Sequence, residues 1–344
     1  MHHPTLRRTA TGPARSSSAL AATAGLLALT LAACAGEPPR DAGDAAEGSA
    51  AAAAAVPRTA DPFQRGYTEA DFPRVQEIAP GVFTYEQLRS AGEELFTTVS
   101  LFVVTGEGVL VADGQGSVEE TERLLEHVRQ VTDQAVTHLV IGSDHGDHTG
   151  GNTAFPADVE VLAHPTSAAA LEAMATARPE LAGMPMPTVL VEDEHVLELG
   201  GTEIHVLFLG RAHTGGDLAV HLPEESVLFL SEAYLNRVFP AMRSAYPSEW
   251  VEMLDRALAM DVAWYVPGHG FVETKEILEE ELRTYRDAVA TVVAEARRLH
   301  GEGLTLEEAQ AQADMGELEG WSLVSSQKPR AIQQVYAELD GELR

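Results

Sequence analysis

The run Ser143-Asp144-His145-Gly146-Asp147-His148-Thr149-Gly150-Gly151-Asn152 places two histidines and an aspartate within four residues, among small side chains. Imidazole and carboxylate donors together suit a borderline-soft divalent metal. Three later islands share this character: Ala212-His213-Thr214-Gly215-Gly216-Asp217, then Ser231-Glu232, then Pro267-Gly268-His269-Gly270. Each follows an apolar run, which places it at a strand end, where loops converge on a site. Glycines beside the histidines let the backbone turn sharply and let other ligands approach. A metal held there would lower the pKa of bound water toward about 7 and polarise a carbonyl or phosphoryl oxygen.

The elements that must position these residues are legible from the periodicity. Strand-like runs are expected at Gly81–Tyr85, Thr97–Val104, Val109–Val111, Thr137–Ile141, Val159–Leu162, Val189–Val191, Val196–Leu199 and Glu203–Leu209. Leu218–Leu222 and Ser226–Leu230 flank Pro223-Glu224-Glu225 as a hairpin, and Trp264–Val266 is a last short strand. Ser117-x-x-Glu120 has capping-box spacing before a helix, Ser167–Ala175 is helical, and Ser248 is expected to cap a helix running to Met260. After residue 272 the chain turns helical and amphipathic, with Thr305-x-x-Glu308 opening one helix and Pro329 expected as the first residue of another. Strands mixed with helices indicate a layered α/β or α+β domain.

The histidine islands resemble the metallo-β-lactamase superfamily, whose signature is His-x-His-x-Asp-His followed by a single His, a bridging Asp and a final His in Gly-His-Gly. The resemblance covers about residues 75–272. It implies an α+β fold, an αββα sandwich with the metal site at one edge between two sheets, and zinc as cofactor, one or two ions. Carried over residue by residue, it puts His145 and His213 in a first metal site and Asp147, His148 and His269 in a second, with Asp147 also orienting the catalytic water. Asp113, at the end of Val109–Ala112, resembles the aspartate that orients the ligands from behind. The sequence departs from the signature twice: the first His is Ser143, and the bridging Asp position is Glu232. A serine hydroxyl is a weak zinc ligand, so metal is expected mainly at the Asp147/His148/His269 position. Asp144 or His164 could rotate in as a replacement. The other histidines, His127, His138, His195, His205, His221 and His300, read as solvated or hydrogen-bonded.

The resemblance implies hydrolysis of a small-molecule amide- or ester-type bond, such as a β-lactam, lactone or thioester, by metal-activated water. The alternative is a catalytically impaired domain of the same fold that binds a ligand or a metal. An anionic substrate needs a local cation; Arg211, Arg237 and Arg243 lie near the islands, and Arg237 is the candidate for substrate binding.

Among 344 residues, 53 acids against 23 bases give a net charge of −30. That excess disfavours a nucleic-acid partner, because such affinity rests on Lys and Arg neutralising phosphates. It would also slow anionic substrates. One cysteine excludes an internal disulfide framework and any multi-cysteine metal site. That cysteine, Cys34, ends Leu31-Ala32-Ala33-Cys34 after an Arg-bearing start and a short apolar stretch. Residues 1–33 therefore read as a signal peptide, and the run resembles a bacterial lipobox with Cys34 lipidated. An ordinary secretory signal is the other reading. Residues 34–70 are expected as a linker, 71–272 as the metal domain and 273–344 as a helical extension. The implied location is extracytoplasmic and lipid-anchored, on the periplasmic side of the outer membrane if the cell is Gram-negative. The anchor would be the only membrane contact.

Overall fold

In a computed structural model of the chain, residues 56–343 are described. The signal peptide, Cys34 and the first part of the linker lie outside them. The first sheet holds β1 (Arg74–Ala79), β2 (Val82–Ala91), β3 (Glu94–Val104), β4 (Val109–Ala112), β5 (Val136–Val140), β6 (Glu160–Ala163) and β7 (Val189–Leu190), in that spatial order. Pairing is antiparallel from β1 to β4 and parallel from β4 to β7. The second sheet runs β12 (Trp264–Val266), β11 (Val227–Phe229), β10 (Ala219–Leu222), β9 (Thr202–Leu207) and β8 (Glu194–Leu199).

Side-chain alternation along the first sheet explains the layers. Leu101, Val103, Leu110, Val140 and Leu162 face one way, into a core shared with Val206, Val220 and Leu228 of the second sheet. Phe102, Val109, Val111, Leu139 and Val161 face the other way, onto Leu124, Leu125 and Val128 of α1 (Val118–Val131). The second sheet is covered in turn by α4 (Pro247–Ala259) and α5 (Lys275–Gly301), whose Trp250, Leu254, Leu282 and Tyr285 join the central core. Helix, sheet, sheet and helix follow one another, an αββα sandwich. The shorter helices are α2 (Gly146–Thr149), α3 (Pro165–Ala177), α6 (Leu306–Gln312) and α7 (Val324–Leu339). No helix among the described residues is long and apolar enough to cross a membrane.

Two caps read from sequence are present: Ser117 accepts from the Glu120 amide, and Thr305 and Glu308 cap each other. Three other expectations need correction. Ser248 does not cap α4, which starts at Pro247; its hydroxyl instead donates to Glu338 of α7 at 2.5 Å. Pro329 does not open its helix. Leu323 sits in the left-handed region (φ 66°) with its amide held by Glu94 at 2.7 Å, so α7 already begins at Val324. The tether does not extend to residue 70. Ala60 is buried, Arg65 pairs with Glu273 at 2.5 Å, and Tyr67 stacks on Phe271 with ring centroids 5.3 Å apart. Arg65 and the first aromatic side chains of the chain are what seat this stretch on the domain.

The helical extension shares the core rather than standing apart. Ile332, Val335 and Tyr336 of α7 pack with α5 in the same cluster as the second sheet.

Candidate metal centre

The four islands meet at one edge of the sandwich, and Asp113 ties two of them together. This residue leaves β4 with φ 62°, turning its carboxylate back into the protein. One oxygen accepts from the amides of Gly142 (2.7 Å) and Ser143 (3.3 Å). The other accepts from the Ser231 hydroxyl and faces His148 Nδ1 at 3.0 Å. Close approach needs glycine at two points. A Cβ on Gly142 would lie 2.6 Å from the Ser231 Cβ, and one on Gly268 would lie 2.3 Å from the Ser231 carbonyl carbon.

Two groups of donors result. Asp147, His148, Glu232 and His269 form one; His145, His213 and Glu232 form the other. In the first group, His269 Nδ1 faces the Thr97 carbonyl at 2.9 Å, which only an N–H can satisfy. His148 Nδ1 likewise points at Asp113. Each neutral ring is therefore left with a bare Nε2, and those two atoms lie 3.3 Å apart. Asp147 Oδ2 (3.3 Å) and Glu232 Oε1 (3.2 Å) complete the convergence on His269 Nε2. Lone pairs this close repel unless a cation lies among them, so the donor set fits a divalent metal. A partner behind each ring to fix its tautomer is what metal-binding histidines ordinarily have.

The second group is differently built. His145 Nδ1 lies 3.0 Å from both His213 Nε2 and Glu232 Oε2. The far nitrogens, His145 Nε2 and His213 Nδ1, are buried with no hydrogen-bond partner among the described residues. Neither ring has a partner behind it, on the side away from Glu232, among the described residues.

Glu232 belongs to both groups. Its extra methylene lets Oε1 come within 3.2 Å of both His213 Nε2 and His269 Nε2. Ser143, buried where the signature has its first His, donates its hydroxyl to Glu232 Oε2 at 2.5 Å. Asp144 and His164 stay out of both groups. Asp144 bonds Ser167. His164 stacks on Phe208 (4.2 Å between centroids) and accepts from the Thr166 amide at the start of α3.

The electrostatics follow from packing acids and imidazoles closely together in a largely buried site. Burial opposes the charge on Glu232, but His213, His145 and His148 outweigh it and hold the carboxyl well below its usual range. Asp147 is lowered in the same way, with burial and Glu232 opposing and His269 and His148 winning. Burial also opposes protonation of His269, yet Asp147 and Glu232 push it up to about 10. Burial likewise resists charge on His145, and Glu232 raises it to about 9. A site that holds its carboxylates ionised and attracts protons this strongly attracts a metal cation for the same reason.

Two side chains that sequence reasoning passed over complete the surroundings. Arg89, near the tip of the β2–β3 hairpin, places Nε 3.4 Å from Asp147 Oδ2. Asp217 accepts from the amide (2.6 Å) and hydroxyl (2.9 Å) of Thr214, fixing the turn after His213, and burial pushes its pKa up to about 6. The expectation for Arg237 fails. Its guanidinium is clamped on buried Glu281 (2.5 and 2.8 Å) and lies over Trp321, so it faces the helical extension rather than the metal groups. Arg211 is likewise held by Glu249 and Tyr246. Arg243 does line the cleft in front of the donors, a space of about 200 Å³.

The family model described as the metallo-beta-lactamase superfamily matches residues 94–269, just over half of the chain. This chain belongs to the metallo-beta-lactamase superfamily. It is 25% identical to the metallo-beta-lactamase type 2 of Bacillus sp. (strain 170), over 59% of this chain and 79% of that protein. It is 23% identical to a linear primary-alkylsulfatase of Pseudomonas sp. (strain ATCC 19151), over 59% of this chain and 47% of that one. Among solved structures, a metallo-beta-lactamase from Pontibacter korlensis superposes with a TM-score of 0.54 at 22% identity, covering 62% of this chain and 98% of its own. An inverting sec-alkylsulfatase from Pseudomonas sp. superposes with a TM-score of 0.60 at 18% identity, covering 77% of this chain and 50% of its own. At these identities the structural likenesses establish the fold.

Proposed function

We propose that this chain is a zinc-dependent hydrolase of a small-molecule amide- or ester-type bond, such as a β-lactam, lactone or thioester. One observation carries the reading: the bare Nε2 atoms of His148 and His269 converge with Asp147 and Glu232 at the wall of an open cleft. In this reading His148, His269 and Asp147 hold the principal ion, while His145, His213 and Glu232 hold a second one more weakly. The weaker binding follows from the unbacked rings of His145 and His213. When bound, the metal supplies an acidified water and an electrophile for the substrate oxygen.

The chain's own side chains do the rest. Asp147 keeps part of its surface open to the cleft (21%), so its carboxylate can orient a water and accept its proton. Arg89 beside it restrains that carboxylate. Glu232, fixed by the Ser143 hydroxyl, holds the two groups at a set spacing. Asp113 fixes His148 from behind.

The test is a hydrolysis panel of β-lactam, lactone, thioester and phosphodiester substrates, with and without chelator. Turnover of one class, abolished by chelator and by Asp147→Ala, is the expected result. Absence of turnover with added zinc or manganese overturns the reading for those classes. The committed hydroxyl of Ser143 and the unbacked second group favour one other reading, a metal- or ligand-binding module of this fold. Tight metal uptake without any turnover would select it.

We further propose that the protein is exported and anchored through a lipid on Cys34. Loss of membrane fractionation and of lipid labelling in Cys34→Ser is the expected outcome.

A further inference from the structure

The cleft has a wall that the superfamily match does not supply. The match ends at residue 269, yet Leu323 and Arg330 of the helical extension line the same cleft as Asp147 and Glu232. Their position is built into the backbone. Val238 and Ser322 form a β-bridge, and the Phe239 amide donates to the Ser322 carbonyl at 2.9 Å. The Leu323 amide is held by Glu94, and Gln334 of α7 donates to the Ala245 carbonyl at 2.8 Å. These contacts clip the start of α7 onto the loop that carries Arg243.

With Leu323 and Arg330 added to residues of the matched region, the chemistry of the cleft has two parts. Phe96, Leu235, Val238 and Leu323 give it an apolar face. Arg243 and Arg330 are exposed, and neither has a carboxylate partner among the described residues. Other exposed arginines do find one, Arg123, Arg256, Arg283 and Arg298 each pairing with a Glu on their own helix; of the exposed arginines without one among the described residues, Arg243 and Arg330 are the pair that shares this cleft. Two unpaired guanidinium groups in one cleft form a local positive field inside an otherwise repulsive surface. Guanidinium is also the group best shaped to receive an oxyanion through two parallel hydrogen bonds.

We infer that the helical extension completes a substrate subsite for a small amphipathic anion, with Arg243 and Arg330 receiving its anionic group and the apolar face taking its hydrocarbon part. The inference deepens the hydrolase reading by naming the kind of molecule the site admits. A cleft of about 200 Å³ is smaller than the roughly 300 Å³ at which drug-sized pockets begin, so it takes a short molecule or one end of a longer one.

Calorimetric titration of octanoate, octanol and octylamine into the full zinc-loaded chain tests this. Octanoate binds, and the alcohol and amine bind at least tenfold more weakly. Arg330→Ala and Arg243→Ala each weaken octanoate about tenfold, the effect of one lost charge-assisted contact. Arg330→Lys recovers part of the affinity and Arg330→Glu abolishes it. Butyrate binds more weakly than octanoate because it leaves the apolar face open.

Octanoate affinity unchanged in both alanine variants overturns the inference. If that affinity is also lost on chelation, the carboxylate is sitting on the metal instead. Octanol binding as tightly as octanoate overturns it too. Arginine-dependent octanoate binding with no turnover in the hydrolysis panel removes the hydrolase reading and leaves the subsite. Turnover with a KM for anionic substrates indifferent to Arg330→Ala does the reverse.

Discussion

Ser143 Oγ lies 2.5 Å from Glu232 Oε2, so the residue standing in for a metal-binding histidine is hydrogen-bonded to the residue standing in for a bridging aspartate. The two departures from the superfamily signature are thus one feature. The short serine leaves room, the longer glutamate reaches into it, and the hydroxyl pins the carboxylate between both histidine pairs.

Ser143→Ala is expected to loosen that carboxylate. A hydrogen bond to a charged acceptor contributes about 1.5–3 kcal/mol. The expected result is a roughly tenfold or greater loss of metal affinity at the His145/His213 group, with the Asp147/His148/His269 group less affected. Competition titration with a chromophoric chelator resolves the two steps. Equal loss at both, or no loss at either, contradicts the role given to the pair.

Asp113 holds four partners at once: two amides, one hydroxyl and the His148 ring. Asp113→Asn keeps the size but removes the charge behind His148. A drop of about 10- to 100-fold in metal affinity is expected, as for other residues that fix a ligand from behind. Asp113→Ala leaves buried donors unsatisfied, at about 1–3 kcal/mol each, and should lower the melting temperature by several degrees. A variant that melts and binds metal like the parent would show that the islands assemble without it.

The candidate donors were legible in the sequence because they lie at the ends of apolar runs, most of them near glycines, and the structure brings them into two groups. Asp113 could be placed for the same reason, being the first polar residue after Val109–Ala112. Arg237 was misplaced because proximity in sequence to Glu232 says nothing about Glu281, a buried acid 44 residues further on that claims its guanidinium. Arg330 was invisible as a cleft residue because only the clip between Ser322 and the 237–239 loop brings α7 to the site. Ser248 and Pro329 carry ordinary helix-start chemistry, yet a tertiary contact with Glu338 and the left-handed Leu323 moved both boundaries.

Glu86 should make stability pH-dependent in an unusual direction. It is fully buried on β2, and burial pushes its pKa up to about 7 despite Arg74 at 2.8 Å and Gln76 at 2.8 Å. A carboxyl whose folded pKa lies above its unfolded value of 4.5 binds a proton more tightly when folded. Its favourable contribution is therefore complete below the unfolded value and is lost as pH rises through about 7. Glu86→Gln removes this dependence. Relative to the parent, the variant should gain stability progressively between pH 5 and 7, by on the order of a few kcal/mol at most. Urea unfolding of both proteins across that window measures it, and a constant difference would refute the assignment.

The helical extension should unfold with the sandwich rather than before it. Ile332 and Val335 are fully buried against α5, whose Tyr285 in turn packs on Trp250 of α4 with ring centroids 5.9 Å apart. One continuous core therefore runs from the second sheet to α7. Ile332→Ala leaves a cavity in that core and should cost about 2–5 kcal/mol. Because the core is shared, the loss should lower a single transition, seen alike by circular dichroism and by the fluorescence of Trp250 and Trp321. A separate early transition reported by Trp321 alone would make the extension an independently folding unit, and the clip at Ser322 would then be too weak to hold Arg330 at the cleft.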